Sequence, residues 1–259
     1  MIEWSDDGIV LSARRHGESA AIVSLLTRAH GRHAGIVLGG AGRRARGVYE
    51  PGNRVAATWR ARLSEHLGHY ACELAESRAA ALLDDAMRLA ALSSAAAILD
   101  AALPEREPHE RLYDSLDALV ARLCDPSTSW PALYVRFELD LLAELGFGLD
   151  LTRCAATGRS DDLTYVSPKT GRAVSSTAGA AYADLLLPLP RFLRGTVQEC
   201  LSVARVDIVA GLKLTGYFLE RHVFGQRAAD PSRKGGSPAA RDRLVVRLSG
   251  AATPSPALG

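Results

Sequence analysis

The strongest constraint on this chain's fold is a period-two alternation near the end of its first eighty residues. In Arg54-Val55-Ala56-Ala57-Thr58-Trp59-Arg60-Ala61-Arg62-Leu63, positions 55, 57, 59, 61 and 63 are apolar, while Arg54, Thr58, Arg60 and Arg62 take the alternate positions. Successive side chains of a strand point to opposite faces, so Val55, Trp59 and Leu63 are expected inward and Arg54, Arg60 and Arg62 outward. Four further runs have strand composition: Gly8 to Ala13, Ala21 to Thr27, His33 to Leu38 and His69 to Leu74. Turn residues separate them, at His16-Gly17-Glu18-Ser19, Ala29-His30-Gly31 and Glu50-Pro51-Gly52-Asn53. Five short strands in about seventy residues predict a small barrel, closed or nearly so, of OB or SH3-like type.

The third strand runs into Gly39-Gly40-Ala41-Gly42-Arg43-Arg44-Ala45-Arg46-Gly47. Three arginines on a glycine-rich loop call for water or phosphates, and glycines let a backbone approach a ligand closely. With Arg14 and Arg15 after the first strand and the Arg54, Arg60, Arg62 row, this loop makes one candidate cationic face. The loop is expected to bury nothing. Tyr49, Trp59 and Tyr70 are the aromatics available for base stacking, and alternation assigns the last two to the core. Phosphate contact is therefore expected to dominate, with little sequence preference and a strong salt dependence.

Charge is unevenly spread over the 259 residues. Residues 8–70 hold ten arginines against three acids, residues 81–150 five against thirteen, and residues 151–259 fifteen basic residues against eight acids. Such a field suits a polyanion-facing front and an acidic middle. No apolar run approaches the roughly 20 residues of a membrane span. The start, Met1-Ile2-Glu3-Trp4-Ser5-Asp6-Asp7, is acidic where a secretory signal is basic. Cys72, Cys124, Cys154 and Cys200 are scattered, which fits a reducing, cytoplasmic setting.

From Ala79 the pattern turns helical. Residues 80–103 are rich in alanine and leucine, and Leu112, Leu116, Leu119, Val120 and Leu123 mark the next helix. A third is expected to open at a Ser129 cap with Pro131 in its first turn. It carries Leu133, Tyr134, Phe137, Leu141, Leu142 and Leu145 on one face, with Arg136 off that stripe. A last helix spans about 203–224, with Val206, Val209, Leu212, Leu219 and Val223 inward. Residues 226–240 read as a flexible basic linker, Arg241 to Leu248 as one further turn or strand, and Pro254-Ser255-Pro256 as a frayed end.

Residues 150–178 break the helical pattern at the spacing of a zinc ribbon. Only Cys154 is a thiol; Thr157, Ser175 and Ala178 stand where three more thiolates would be. No metal and no cofactor is expected, and Leu163, Tyr165 and Val174 are expected to hold the segment.

Gly8-Ile9-Val10-Leu11, His16-Gly17-Glu18-Ser19, Leu26 to Gly31 and Gly40-Ala41-Gly42-Arg43-Arg44 resemble the N-terminal domain of the bacterial RecO recombination mediators. The resemblance continues through Arg136-Phe137-Glu138-Leu139, Leu145-Gly146-Phe147-Gly148, Leu151-Thr152-Arg153-Cys154 and Tyr165-Val166-Ser167-Pro168. It implies an α+β chain: an N-terminal OB-fold β-barrel over 1–78 and a helical domain over 79–225 with a degenerate zinc-ribbon-like insert at about 150–178; composition makes 226–259 a flexible basic tail. It implies binding and annealing of single- and double-stranded DNA. It also implies contact with RecR and with the acidic tail of single-strand-binding protein, and, indirectly, RecA loading in gap repair within a bacterial nucleoid. Arg136, inside the matching Arg-Phe-Glu run, is the candidate partner contact; a solvated salt bridge is its plain structural role. Some members of the family keep four cysteines in the insert, and this chain keeps Cys154 alone.

Two other readings compete. An RNA-binding OB or SH3-like module linked to translation presents the same electrostatics, because phosphates look alike. An enzyme is disfavoured, since Gly39-Gly40-Ala41-Gly42 lacks the Gly-Lys-Ser/Thr ending of a P-loop and nothing fixes His16, Glu18 and His33 as acid–base groups.

Overall fold

The computed structural model describes residues 1–196, 200, 202–225 and 236–250. The chain divides into two compact units, Met1–Pro126 and Ser127–Gly259.

The first unit opens with a closed barrel of five strands: β1 (Ile2–His16), β2 (Ala20–Thr27), β3 (Gly31–Val37), β4 (Arg54–Ala61) and β5 (His69–Glu76). Their order around the barrel is β1-β2-β3-β5-β4. That order, with β3 meeting β5 in parallel at Ile36 and His69, makes it an OB-fold and removes the SH3-like alternative. β1 makes closure possible. It is 15 residues long; its first half pairs with β4, its second half with β2, and a bulge between Val10 and Ser12 bends it. Pattern alone starts this strand at Gly8, because Glu3, Asp6 and Asp7 interrupt the apolar run; the ladder to β4 carries it back to Ile2.

Along β4 the expected alternation holds from Arg54 to Ala61, with Val55, Ala57, Trp59 and Ala61 buried. Leu63, expected inward, is exposed, because the strand ends at Ala61 and the pleat no longer sets its direction. Val10, Val23, Leu25, Val55, Trp59 and Tyr70 fill the interior. Fully burying one such side chain stabilises by about 1.5–3 kcal/mol.

The β3–β4 connection contains a single helical turn, α1 (Arg43–Arg46). Its continuation closes one end of the barrel, for Ala45, Val48 and buried Tyr49 pack on the core. The expectation that this loop buries nothing is thus corrected: its arginines are exposed, while the apolar residues between and after them face inward.

A 3-10 turn (Ala79–Leu82) leads into α2 (Ala86–Ala102), capped by the Asp85 carboxylate, and then α3 (Glu110–Cys124). Asp100 of α2 accepts hydrogen bonds from Ser12 and Ser24 of the barrel at 2.8 and 2.6 Å. Residues 104–108 run alongside β3, where Arg106 N–H donates to the Arg32 carbonyl. Gly31, at φ +65°, allows this, since a Cβ there would overlap the Glu107 carbonyl oxygen.

The second unit contains α4 (Pro131–Glu144), a small sheet of β6 (Leu163–Val166), β7 (Ala173–Ser175) and β8 (Leu187–Pro188), the short α5 (Ser176–Gly179), α6 (Arg205–Leu219) and α7 (Ala239–Ser249). Trp130, not Ser129, is the cap residue of α4, and it makes no side-chain cap bond; Pro131 occupies the first turn. Val206 is exposed at the start of α6, while Leu212, Leu219 and Val223 are buried. The segment from Arg241, expected as a turn or strand, is helix α7. What positions it is a buried ion pair: Glu138, with no exposed surface, accepts from Arg241 Nε at 2.7 Å and Nη2 at 2.9 Å, and also from the Thr215 hydroxyl. The linker expected at 226–240 lies outside the described residues from 226 to 235, and the frayed end at Pro254–Pro256 does so entirely.

Candidate nucleic-acid interface

Three of the candidate arginines share one cleft. It measures about 370 Å³, and Arg14, Arg15, Gly40, Ala41, Arg46 and Tyr49 contribute to its walls. Local hydrogen bonds explain the convergence. Arg15 reaches over the β1–β2 turn, donating from Nε to the Gly17 carbonyl at 3.2 Å and from Nη2 to that of Glu18 at 2.8 Å. Ala41 N–H donates to Ser19 O of that turn at 2.9 Å, which ties the glycine run to it. Gly39, at φ +71°, turns the chain, and a Cβ at Gly40 would fit tightly, 3.0 Å from the Ala21 and Val37 side chains.

Arg43 and Arg44 lie on the same turn as Arg46, and all three are exposed. Among the described residues none of Arg14, Arg15, Arg43, Arg44 and Arg46 takes part in an ion pair. Glu50 is the one acid among the described residues of the cleft wall. Five guanidinium groups of one sign, two near the end of β1 and three on α1, are largely unneutralised and suited to phosphate oxygens.

The rest of the expected face does not join them. Arg60 pairs with Glu3 at 2.9 Å and Arg54 with Asp7 at 2.8 Å, because β4 runs beside the acidic first half of β1. Glu3 and Arg14 are eleven residues apart along β1, up to about 36 Å of strand at 3.3 Å per residue. Arg62 lies just past the end of β4 and is exposed. Tyr49, Trp59 and Tyr70 are all buried, so none offers a ring face to a base. A half-buried aromatic that the sequence pattern does not single out is Trp4, stacked on His30 with ring centroids 3.9 Å apart.

A buried polar residue that the sequence pattern does not single out is Asn53. It is 1% exposed, and its side-chain amide donates to the carbonyls of Gly47 and Val48 at 2.8 and 3.2 Å while its oxygen accepts from Ala79 N–H at 3.0 Å. Its position after Pro51-Gly52 marks a turn, and nothing in the sequence shows where the amide points.

His33 lies beneath the Trp4, Trp59 and Tyr70 rings. Burial, helped by the nearby Arg106 charge, pushes its imidazole down to about 4. It is a core histidine.

In the second unit, Arg136 makes no salt bridge among the described residues. Its Nη1 donates to the main-chain carbonyls of Phe192 and Gly195 at 3.1 and 2.7 Å. Cys154 is buried, and its sulfur accepts from Ser175 N–H at 3.3 Å. Burial pushes this thiol up, and hydrogen bonds from Thr157 and Ser175 outweigh it, bringing it to about 6. Leu163 and Val174 are buried, with Tyr165 half-buried. Among the described residues there is no cluster of three or more histidine, cysteine or acidic side chains able to hold a metal. No helix among them is long and apolar enough to cross a membrane.

The barrel and the helical remainder of the chain match two family models in order: recombination protein O N terminal over residues 1–78, and recombination protein O C terminal over 83–230. The chain belongs to the RecO family. Among its relatives, the DNA repair protein RecO of Rhodospirillum centenum is 56% identical over 256 residues, 98% of each chain. That of Methylobacterium nodulans is 51% identical over 247 residues, 95% of this chain and 97% of its own. That of Rhodospirillum rubrum is 49% identical over 252 residues, 96% and 97%. Membership of the RecO family points to a role in DNA repair and recombination.

Proposed function

We propose that this RecO-family chain is a non-enzymatic recombination mediator that holds DNA by its phosphates and brings complementary strands together. The observation that carries this reading is the gathering of Arg14, Arg15 and Arg46 into one cleft, with Arg43 and Arg44 beside them and none of the five in an ion pair among the described residues. Neutralising phosphates on two strands lowers the repulsion that opposes their pairing. Residues 1–78 are the nucleic-acid-binding domain in this account and residues 79–225 a helical domain, to which α7, within the basic 226–259 segment, is joined by the Glu138–Arg241 pair. The 150–178 segment resembles a zinc ribbon without its full set of cysteines, keeping Cys154 alone.

The family relationship extends the proposal to partners. RecR, the acidic tail of single-strand-binding protein and, indirectly, RecA belong to it, in a cytoplasmic, nucleoid-associated setting. Arg136 is the weaker part, because its Nη1 is already committed to the Phe192 and Gly195 carbonyls.

Annealing of complementary DNA oligonucleotides by the pure protein without nucleotide supports the proposal, and hydrolysis of ATP coupled to annealing overturns it. Competition between matched single-stranded DNA and RNA at two salt concentrations is the second test. A strong RNA preference at both would replace the DNA reading with the RNA-module one. Single-strand-binding protein with its tail should bind, and without its tail should not.

A further inference from the structure

We propose that Asn53 is a positioning residue for the cationic turn: it sets where Arg43, Arg44 and Arg46 stand relative to Arg14 and Arg15. This inference rests on the DNA-binding reading of that cleft. α1 alone is too short to hold a fixed direction, since a single turn offers few internal hydrogen bonds. Its C-terminal end is fixed from outside. The two N–H bonds of the Asn53 side chain hold the carbonyls of Gly47 and Val48, the two residues after Arg46.

Asn53 is in turn fixed on the strand that carries Arg14 and Arg15. Its carbonyl accepts from Val10 N–H at 2.9 Å, and Gly52 N–H donates to the Val10 carbonyl at 2.8 Å. Val10 lies at the β1 bulge, four residues before Arg14. The path from Arg14 through Val10, Asn53 and Gly47 to Arg46 is therefore one run of backbone and short hydrogen bonds. The third bond, from Ala79 N–H to the Asn53 oxygen, holds the same amide to the first turn after the barrel. One buried amide uses both donors and an acceptor to join three segments, and no neighbouring side chain duplicates its bonds to Gly47 and Val48 among the described residues.

No charge is removed when Asn53 is replaced, so an effect on DNA binding must pass through the arginines. The test is a double-mutant comparison in the full-length protein. Affinity for labelled oligo-deoxythymidylate is measured between about 50 and 200 mM salt for the wild type, Asn53→Ala, Arg43→Ala/Arg44→Ala/Arg46→Ala, and the four changes combined, at a temperature where circular dichroism shows each folded. If Asn53→Ala does not fold, Asn53→Ser, which keeps one hydroxyl donor, replaces it in the same comparison.

The expected result is a roughly tenfold loss for the Asn53 variant and a salt slope lower by about one to two. That loss should disappear in the arginine-less background, while any loss of thermal stability persists there. A structural role alone would move stability and leave the salt slope at its wild-type value. An unchanged slope, or an affinity loss that adds in full to the triple variant, overturns the positioning role. If the triple variant itself binds like the wild type, the cleft reading has failed instead, and the two failures are distinct.

Discussion

The arginines of the barrel differ in what surrounds each one. Arg54 and Arg60 have a carboxylate within 2.9 Å, and such exposed pairs contribute little to stability. They nevertheless offset charge that a phosphate would otherwise meet. Arg43, Arg44 and Arg46 have no such partner among the described residues and bury nothing. Replacing these three by alanine should weaken DNA binding alike across sequences and lower the salt slope by up to about three. Urea unfolding should be unchanged. Arg60→Ala should lower the slope by less than one. A larger effect from Arg60 than from the three together would place the contact at the other end of β1.

His33 supplies a prediction in pH. The folded state binds its proton more weakly than the unfolded chain does, with an imidazole at about 4 against the ordinary 6.5. Stability from this group is full above about pH 6.5 and is lost as pH falls from 6.5 towards 4, by at most about 1.4 kcal/mol per pH unit. His30, Arg32 and Arg106 contribute the surrounding charge. Denaturant titrations at several pH values should show this slope in the wild type and a shallower one in His33→Phe. Identical slopes would mean that another group is responsible.

At the level of elements, α7 is the clearest case of structure that the sequence does not show. Its position depends on Glu138 of α4, a residue that in sequence looks like one more exposed acid of an amphipathic helix. Gly216 leaves the space that the Arg241 guanidinium fills. A buried pair deprived of one member leaves an uncompensated charge, so Glu138→Ala should destabilise by about 3–5 kcal/mol. Replacing both residues by apolar ones of similar volume should cost far less. Equilibrium unfolding of the single and double variants measures both, and equal losses would show that the charge itself stabilises.

The barrel strands are legible in the sequence because period-two patterning is local and turn residues punctuate it. Four of the five strands fall close to their expected positions. The first half of β1 is hidden, since its acidic residues matter only through the register with β4. The same register explains why the eight arginines do not form one face. A row of like charges along a strand can be read from sequence, but the carboxylates on the neighbouring strand cannot. The convergence of Arg14, Arg15 and the glycine–arginine run is legible as charge, while the role of Asn53 emerges only from the folded chain.

For the whole molecule, counting from Met1 changes the electrostatic picture. Residues 1–78 hold eleven arginines and eight acids, a net charge of +3, so on the proposed reading the attraction for DNA would lie in one cluster rather than over the entire barrel. Binding should therefore be insensitive to sequence and strongly weakened by salt. The family relationship and the OB topology place this chain beside the RecO proteins it resembles, and the arginine cleft is where their shared role would act.

The most direct test of that claim is the slope of log affinity against log salt for single-stranded DNA, compared between the wild type and a chain with Arg14, Arg15, Arg43, Arg44 and Arg46 all changed to alanine. A slope lower by about three to four, near 0.7 for each phosphate no longer neutralised, is the predicted result. A slope equal to that of the wild type would contradict it.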